Sequence, residues 1–280
     1  MTPLSFFKMS GSGNDFIIID NRERLVPEAD LSSLIVGACR RKHGVGADGL
    51  ILIEEPDTDH TDFKWRFFNA DGSVAEMCGN GARCAARFAV IHGIAGPDMA
   101  FDTLAGTIEA HVGPHTVKIR MTDPTGLETS VTLELEGASM TAGVINTGVP
   151  HAVVTVKDVD AVDVVGLGRQ IRFHPAFAPA GTNANFVSME NREPGGRIFI
   201  RTYERGVEDE TLACGTGNVA AALILAHTEG NASPITLTTR GGADQTVHFS
   251  RTGGKFHDVF LEGDARVIYS GNLWDEAWKT

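Results

Sequence analysis

The 280-residue chain contains four cysteines and no strongly apolar run longer than about V-A-A-A-L-I-L-A. A helix that crosses a bilayer needs about 20 such residues, so no membrane span is expected. The opening M-T-P-L-S-F-F-K-M-S-G has no basic stretch followed by a long apolar core, and no export signal is read there. Four cysteines without a dense framework suit a reducing compartment, which makes the expected location cytoplasmic. The paired C-x2–4-C spacing of structural zinc sites is missing, since five residues separate Cys78 from Cys84, and no metal is expected. Basic residues are also short: 24 Lys and Arg stand against 36 Asp and Glu, a net charge of −12. That excludes the basic footprint of a nucleic-acid or anionic-membrane binder. No G-x-x-x-x-G-K-[ST] phosphate loop occurs, and none of the seven lysines stands in a setting that suggests a Schiff base.

What the sequence does hold is a repeat. Cys78 lies in M-C-G-N-G-A-R and Cys214 in A-C-G-T-G-N-V, 136 positions apart, and each runs into a stretch of small apolar residues. Thr103 and Gly106 match Thr239 and Gly242 at the same offset, although the threonines suggest no chemistry. Gly44 and Ala47 match Gly181 and Ala184 at 137, and G-N-D-F-I-I-I matches G-V-P-H-A-V-V loosely at 135. A period this long indicates a duplicated domain rather than a solenoid unit, and 280 residues are enough for two cores.

Periodicity predicts strands at 16–20, 50–53 and 65–68, with a helix over 31–41. Strands at 152–156, 186–189 and 198–203 repeat that order. M-T-D-P-T-G at 121–126 interrupts the pattern. The expected domains are therefore 1–122 and 123–264, with the segment from about 265 to 280, which alternates over 265–273, packing back on the first. Residues 82–91 carry only Arg83 and Arg87 as charges, and 219–226 carry none, so both read as helices surrounded by protein. The expected fold class is α+β: two homologous domains related by a pseudo-two-fold repeat, each a curved, mostly antiparallel or mixed β-sheet around a central buried helix.

This pattern places each cysteine at a helix N-terminus. Unpartnered N–H groups and the helix dipole favour anions there and draw a nearby thiol below its free pKa of about 8.5. Gly79, Gly81, Gly215 and Gly217 are read as letting a ligand approach the backbone. A carboxylate held by two such ends places its Cα beside two sulfurs. One thiolate then removes the α-proton while a thiol protonates the other face.

The chain resembles the diaminopimelate epimerases over essentially its whole length. The motifs are G-S-G-N-D-F (11–16), F-N-A-D-G-S (68–73), C-G-N-G-A-R-C (78–84), G-T-N-A-N-F-V (181–187), Y-E-R-G (203–206) and A-C-G-T-G (213–217). The resemblance implies an isomerase of lysine and cell-wall precursor synthesis. It would interconvert LL- and meso-diaminopimelate without pyridoxal phosphate or any other cofactor, as a homodimer. It also implies that Cys78 and Cys214 are the acid–base pair. Gly79, Asn80, Gly215 and Thr216 would hold the reacting carboxylate, and Asn69 and Glu204 would lie near the amino group. Asn14, Asn183 and Arg205 would reach the distal end, and His151 and Glu204 would tune the thiols. Two positions depart from part of the family: Val149 stands where many members have asparagine, and Gly49 where some have glutamine. The segment E-R-G-V-E-D-E-T is one residue longer than the commoner form.

Plainer readings compete with these. Cys39 and Cys84 read as buried small hydrophobes. His151 after a proline suits a simple hydrogen-bonding role, Arg205 a surface ion pair, and the three asparagines ordinary turn positions. Rival functions are a racemase or epimerase of the same superfamily acting on histidine, proline or hydroxyproline, and a non-catalytic zinc or redox thiol protein.

Overall fold

Strand β1 (Leu4–Gly11) turns at Ser12 and Gly13 directly into β2 (Asn14–Asp20), and both turn residues have positive φ, 49° and 95°. Two left-handed positions match the twist of an antiparallel hairpin; Gly13 adopts its own freely, and Ser12 is held in its by Asp264 Oδ1, to which its amide and hydroxyl donate at 2.9 and 3.1 Å. In the computed structural model, residues 3–190 and 196–279 are described. The chain divides into two compact units, residues 1–119 with 263–280, and residues 120–262.

In unit 1, α1 (Leu31–Cys39) crosses from β2 to β3 (Gly49–Glu54), which lies parallel to β2 with Phe16 opposite Gly49. Strand β4 (Phe63–Asn69) returns antiparallel and pairs with the short β5 (Val74–Ala75). Helix α2 (Gly79–Ile91) then leads to β6 (Asp98–Thr103), parallel to β4, and β7 (Gly106–Val112) and β8 (Thr116–Arg120) follow as hairpins. The run F-I-I-I in β2 is buried throughout because both faces of this sheet are covered. Leu34, Ile35 and Ala38 of α1 pack with Ile17, Ile19, Leu50 and Leu52 on one face. On the other, α2 starts over Ile51 and Trp65.

Unit 2 repeats this order. Strand β9 (Thr125–Leu135) pairs with β10 (Ala138–Asn146), and β10 with β11 (Pro150–Thr155). Helix α3 (Val164–Arg172) crosses to β12 (Asn183–Met189), parallel to β11 with His151 opposite Asn183. Strands β13 (Ile198–Glu204) and β14 (Asp209–Thr211) precede α4 (Gly215–Thr228), which leads to β15 (Ile235–Thr238), parallel to β13. β16 (Asp244–Thr252) and β17 (Lys255–Asp264) close the series as hairpins. Strands β10–β17 thus copy β1–β8, with α3 and α4 in the places of α1 and α2. The outer partner of β10 is β9, whereas the outer partner of β1 is β18 (Arg266–Leu273), which places Leu4 opposite Leu273.

The sequence repeat has local causes. A side chain on Gly44 would begin 2.2 Å from the Gly37 carbonyl, and one on Gly181 would begin 2.6 Å from that of Arg172. Each glycine lets the crossover loop pass under the end of its helix. For the same reason α1 stops at Cys39 rather than at Arg41: Arg40 is already extended, and the Gly44 amide bonds to its carbonyl. Thr103 Oγ1 donates to the Gly106 carbonyl at 2.6 Å and Thr239 Oγ1 to that of Ala243 at 3.1 Å, so both threonines hold the turn after their strand. One expectation differs. The alternation read into β18 is not seen in its burial, since Arg266 to Ser270 are all exposed and only Leu273 is buried.

Candidate active site

Each unit sets a cysteine as the N-cap of its buried helix. Cys78 is extended (φ −147°, ψ 116°), and its Sγ accepts from the Gly81 amide at 3.5 Å. Cys214 is similar (φ −120°, ψ 109°), with its Sγ 3.6 Å from Thr216 Oγ1. Both cysteines therefore stand at a helix N-terminus, where the dipole favours a developing anion. Cys78 is half-buried and Cys214 buried. Cys39 and Cys84 lie fully inside the protein, where burial pushes both thiols up to about 12.

In unit 1, Asn80 joins the expected site residues. Its amide donates to Asn14 Oδ1 at 2.5 Å, and its own oxygen accepts from the Arg83 guanidinium at 2.7 Å. Arg83 is fully buried, and it was not among the expected site residues. It also donates to Ser12 Oγ at 2.9 Å and to the Asp264 carbonyl at 3.2 Å, and it packs flat on Gly263. Asn14 donates to Asp48 Oδ2, and Asp48 with Asp15 is bound by Arg41, so the asparagine rests on an ionic frame. Burial works against the Asp15 carboxylate, but Arg41 and Lys8 hold it below the ordinary range. Asn69 is exposed at the end of β4, opposite Gly49, and donates to Ser73 Oγ at 3.0 Å. A side chain at Gly49 would begin 2.6 Å from the Phe67 ring and 2.6 Å from the Phe68 carbonyl. That explains why glutamine is not found there: Phe67 occupies its space.

In unit 2, Asn183 accepts from the Arg205 amide at 2.7 Å and donates to the Pro150 carbonyl at 3.2 Å, tying the Y-E-R-G turn to the strand that carries His151. The Arg205 guanidinium donates to the Ala180 carbonyl. The extra residue of this turn is absorbed at Glu208, which takes φ 59°. Its carboxylate accepts from the Gly206 amide, Arg172 Nε and the Tyr203 hydroxyl at 3.1–3.3 Å. Burial raises the Glu204 carboxyl, and the Thr211 hydroxyl opposes that shift. His151 is wholly buried, and burial with the nearby Arg205 charge brings it down to about 3. The helix-start glycines Gly81 and Gly217 serve packing: side chains there would point at Ile51 and Trp65 in one unit and at Asn185 in the other.

Comparison with known proteins places this geometry. The family model described as diaminopimelate epimerase matches residues 6–127 and 143–267. A diaminopimelate epimerase of Aquifex aeolicus is 47% identical over 98% of this chain and 99% of its own. One from Hydrogenobaculum is 43% identical over 95% and 97%, and one from Methanocella arvoryzae 39% over 98% and 98%. Among solved structures, a PhzF-family phenazine biosynthesis protein of Bacillus anthracis shares the fold with a TM-score of 0.74 at 14% identity, covering 98% of this chain and all of its own. A hydroxyproline epimerase of Agrobacterium vitis does so with a TM-score of 0.65 at 14% identity, over 98% and 96%. By class the protein is an isomerase, of the epimerase kind. The chain belongs to the diaminopimelate epimerase family.

Proposed function

We propose that this protein interconverts LL- and meso-diaminopimelate by a two-base mechanism that needs no pyridoxal phosphate, supplying lysine and peptidoglycan precursors. The observation that carries the reading is the family match together with the position of Cys78 and Cys214, each the N-cap of the buried helix in its own unit. Cys78 and Cys214 act as proton acceptor and donor in turn. A thiolate takes the α-proton, the other thiol returns a proton to the opposite face, and the amides of Gly79, Asn80, Gly215 and Thr216 receive the carboxylate as charge moves onto it. Asn69 and Glu204 attend the amino group, while Asn14, Asn183 and Arg205 bind the distal end. The experiment is incubation of the purified protein with LL-diaminopimelate in D2O. The expected result is deuterium at one Cα together with the meso isomer; meso product without deuterium overturns the proton-exchange mechanism.

The active form in this reading is a cytoplasmic homodimer. Val267, Ile268 and Tyr269 of β18, exposed by 38%, 54% and 45%, are the apolar side chains that a partner would cover in this reading. Sedimentation of wild type and Ile268→Lys is the check, with a dimer and a monomer expected.

A further inference from the structure

The strand pairings make the two units comparable residue by residue. Phe16 opposes Gly49 as His151 opposes Asn183. Ile51 opposes Phe67 as Asn185 opposes Thr202. A side chain on Gly81 would meet Ile51, and one on Gly217 would meet Asn185 Oδ1 at 2.4 Å and Cys214 Sγ at 3.4 Å. Beneath the Cys78 helix the sheet thus presents Phe16, Ile51 and Phe67, whose two rings contact edge to face. Beneath the Cys214 helix the same three places hold His151, Asn185 and Thr202, all buried. The fold does not require polar groups there, since its own first copy fills the positions with hydrocarbon. Burying polar groups is costly unless they are bonded, which points to chemistry rather than packing.

The bonding is directional. The Ala152 carbonyl can only accept, so the Asn185 group 3.0 Å from it is the amide nitrogen. The Asn185 oxygen therefore faces Thr202, whose hydroxyl donates to it at 2.9 Å. The same Asn185 nitrogen lies 3.1 Å from His151 Nδ1 and donates its second hydrogen there. A neutral imidazole that accepts at Nδ1 carries its proton on Nε2. His151 Nε2 is buried and has no partner among the described residues.

We propose that Asn185 and Thr202 are positioning residues that lock His151 as a neutral Nε2–H donor, and that His151 serves the reaction by donating a hydrogen bond rather than by taking a proton from a thiol. Burial depresses the basicity of the ring and the Arg205 charge adds to that, so the ring stays neutral. The catalytic half rests on the epimerase reading, whereas the locked tautomer does not.

Two measurements separate them. In protein labelled with 15N-histidine, NMR should show His151 as the neutral Nε2–H tautomer, unchanged from pH 5.5 to 8.5. An Nδ1–H ring, or titration within that range, overturns the lock even if no epimerase activity is found. Asn185→Asp and Asn185→Ser, both made so that one folded variant suffices, should gain an Nδ1–H population; an unchanged tautomer overturns the positioning role. In kinetics, His151→Gln keeps a donor near the Nε2 position but supplies no base. Its kcat should stay within about tenfold of wild type, whereas His151→Phe should lose about 10²–10³-fold, the usual cost of deleting one such donor. Equal losses in two folded variants overturn the donor role.

Discussion

A single residue such as His151 links stability to pH in a direction that can be worked out. The unfolded chain takes up a proton near the ordinary value of 6.5, but the folded ring does so only near 3. Over that window the unfolded state binds more protons, so stability rises with pH and falls as pH drops below 6.5. The contribution is about 1.4 kcal/mol per unit. Between pH 7 and 5, His151→Gln should lose about 2 kcal/mol less than wild type, read from urea midpoints at the two pH values. The four cysteines separate on a similar basis. Iodoacetamide at pH 8 should modify Cys78 in the native protein but spare Cys39 and Cys84, whose thiols stay protonated. Peptide mapping would show it. Cys78→Ala and Cys214→Ala should each abolish epimerisation, whereas Cys84→Ala should cost stability and leave turnover near wild type. A folded, inactive Cys84→Ala would mean that the wrong thiols have been named.

At the scale of the element, the two helix starts look alike in sequence and differ in what lies below them. Gly81→Ala meets Ile51 and Trp65 at 3.3–3.4 Å, contacts that side-chain shifts can relieve, while Gly217→Ala drives into Asn185 Oδ1 at 2.4 Å. Gly217→Ala should cost about 1–3 kcal/mol and Gly81→Ala distinctly less, compared by thermal unfolding. This is also where the sequence stopped being readable. The repeat, the buried helices and the N-cap cysteines were legible because apolar periodicity and glycine turns are local signals. Asn185 lay inside the recognised G-T-N-A-N-F-V box, but only Asn183 was singled out. Nothing in one strand says that Asn185 faces Thr202 from another, and register is a tertiary fact. Arg83 was hidden likewise: its partners Ser12 and Asp264 come from a distant turn and a distant strand, so its burial left no trace around position 83. The exposed row along β18 escaped because its residues are apolar enough to look half-buried.

For the molecule as a whole, the units differ in how they are completed. Unit 2 draws β9 from its own beginning, while unit 1 takes β18 from beyond unit 2, together with Leu273 and Trp278 of its core. Removing residues 263–280 should therefore strip hydrogen-exchange protection from β1, α1 and β2 and leave β11–β13 protected. Equal loss in both units would overturn this expectation. The same arrangement sets a timetable during synthesis. Domains emerging from a ribosome ordinarily fold in order, the first made folding first, at about 5–20 residues per second. Here the first-made half stays one strand short while all of the second half is translated, a delay on the order of ten seconds. Until then β1 presents an unpaired edge and Leu34 and Ile35 lack part of their cover, so during synthesis unit 1 is the more exposed of the two to misassembly. A segment translated after the whole of unit 2 closes the unit begun before it.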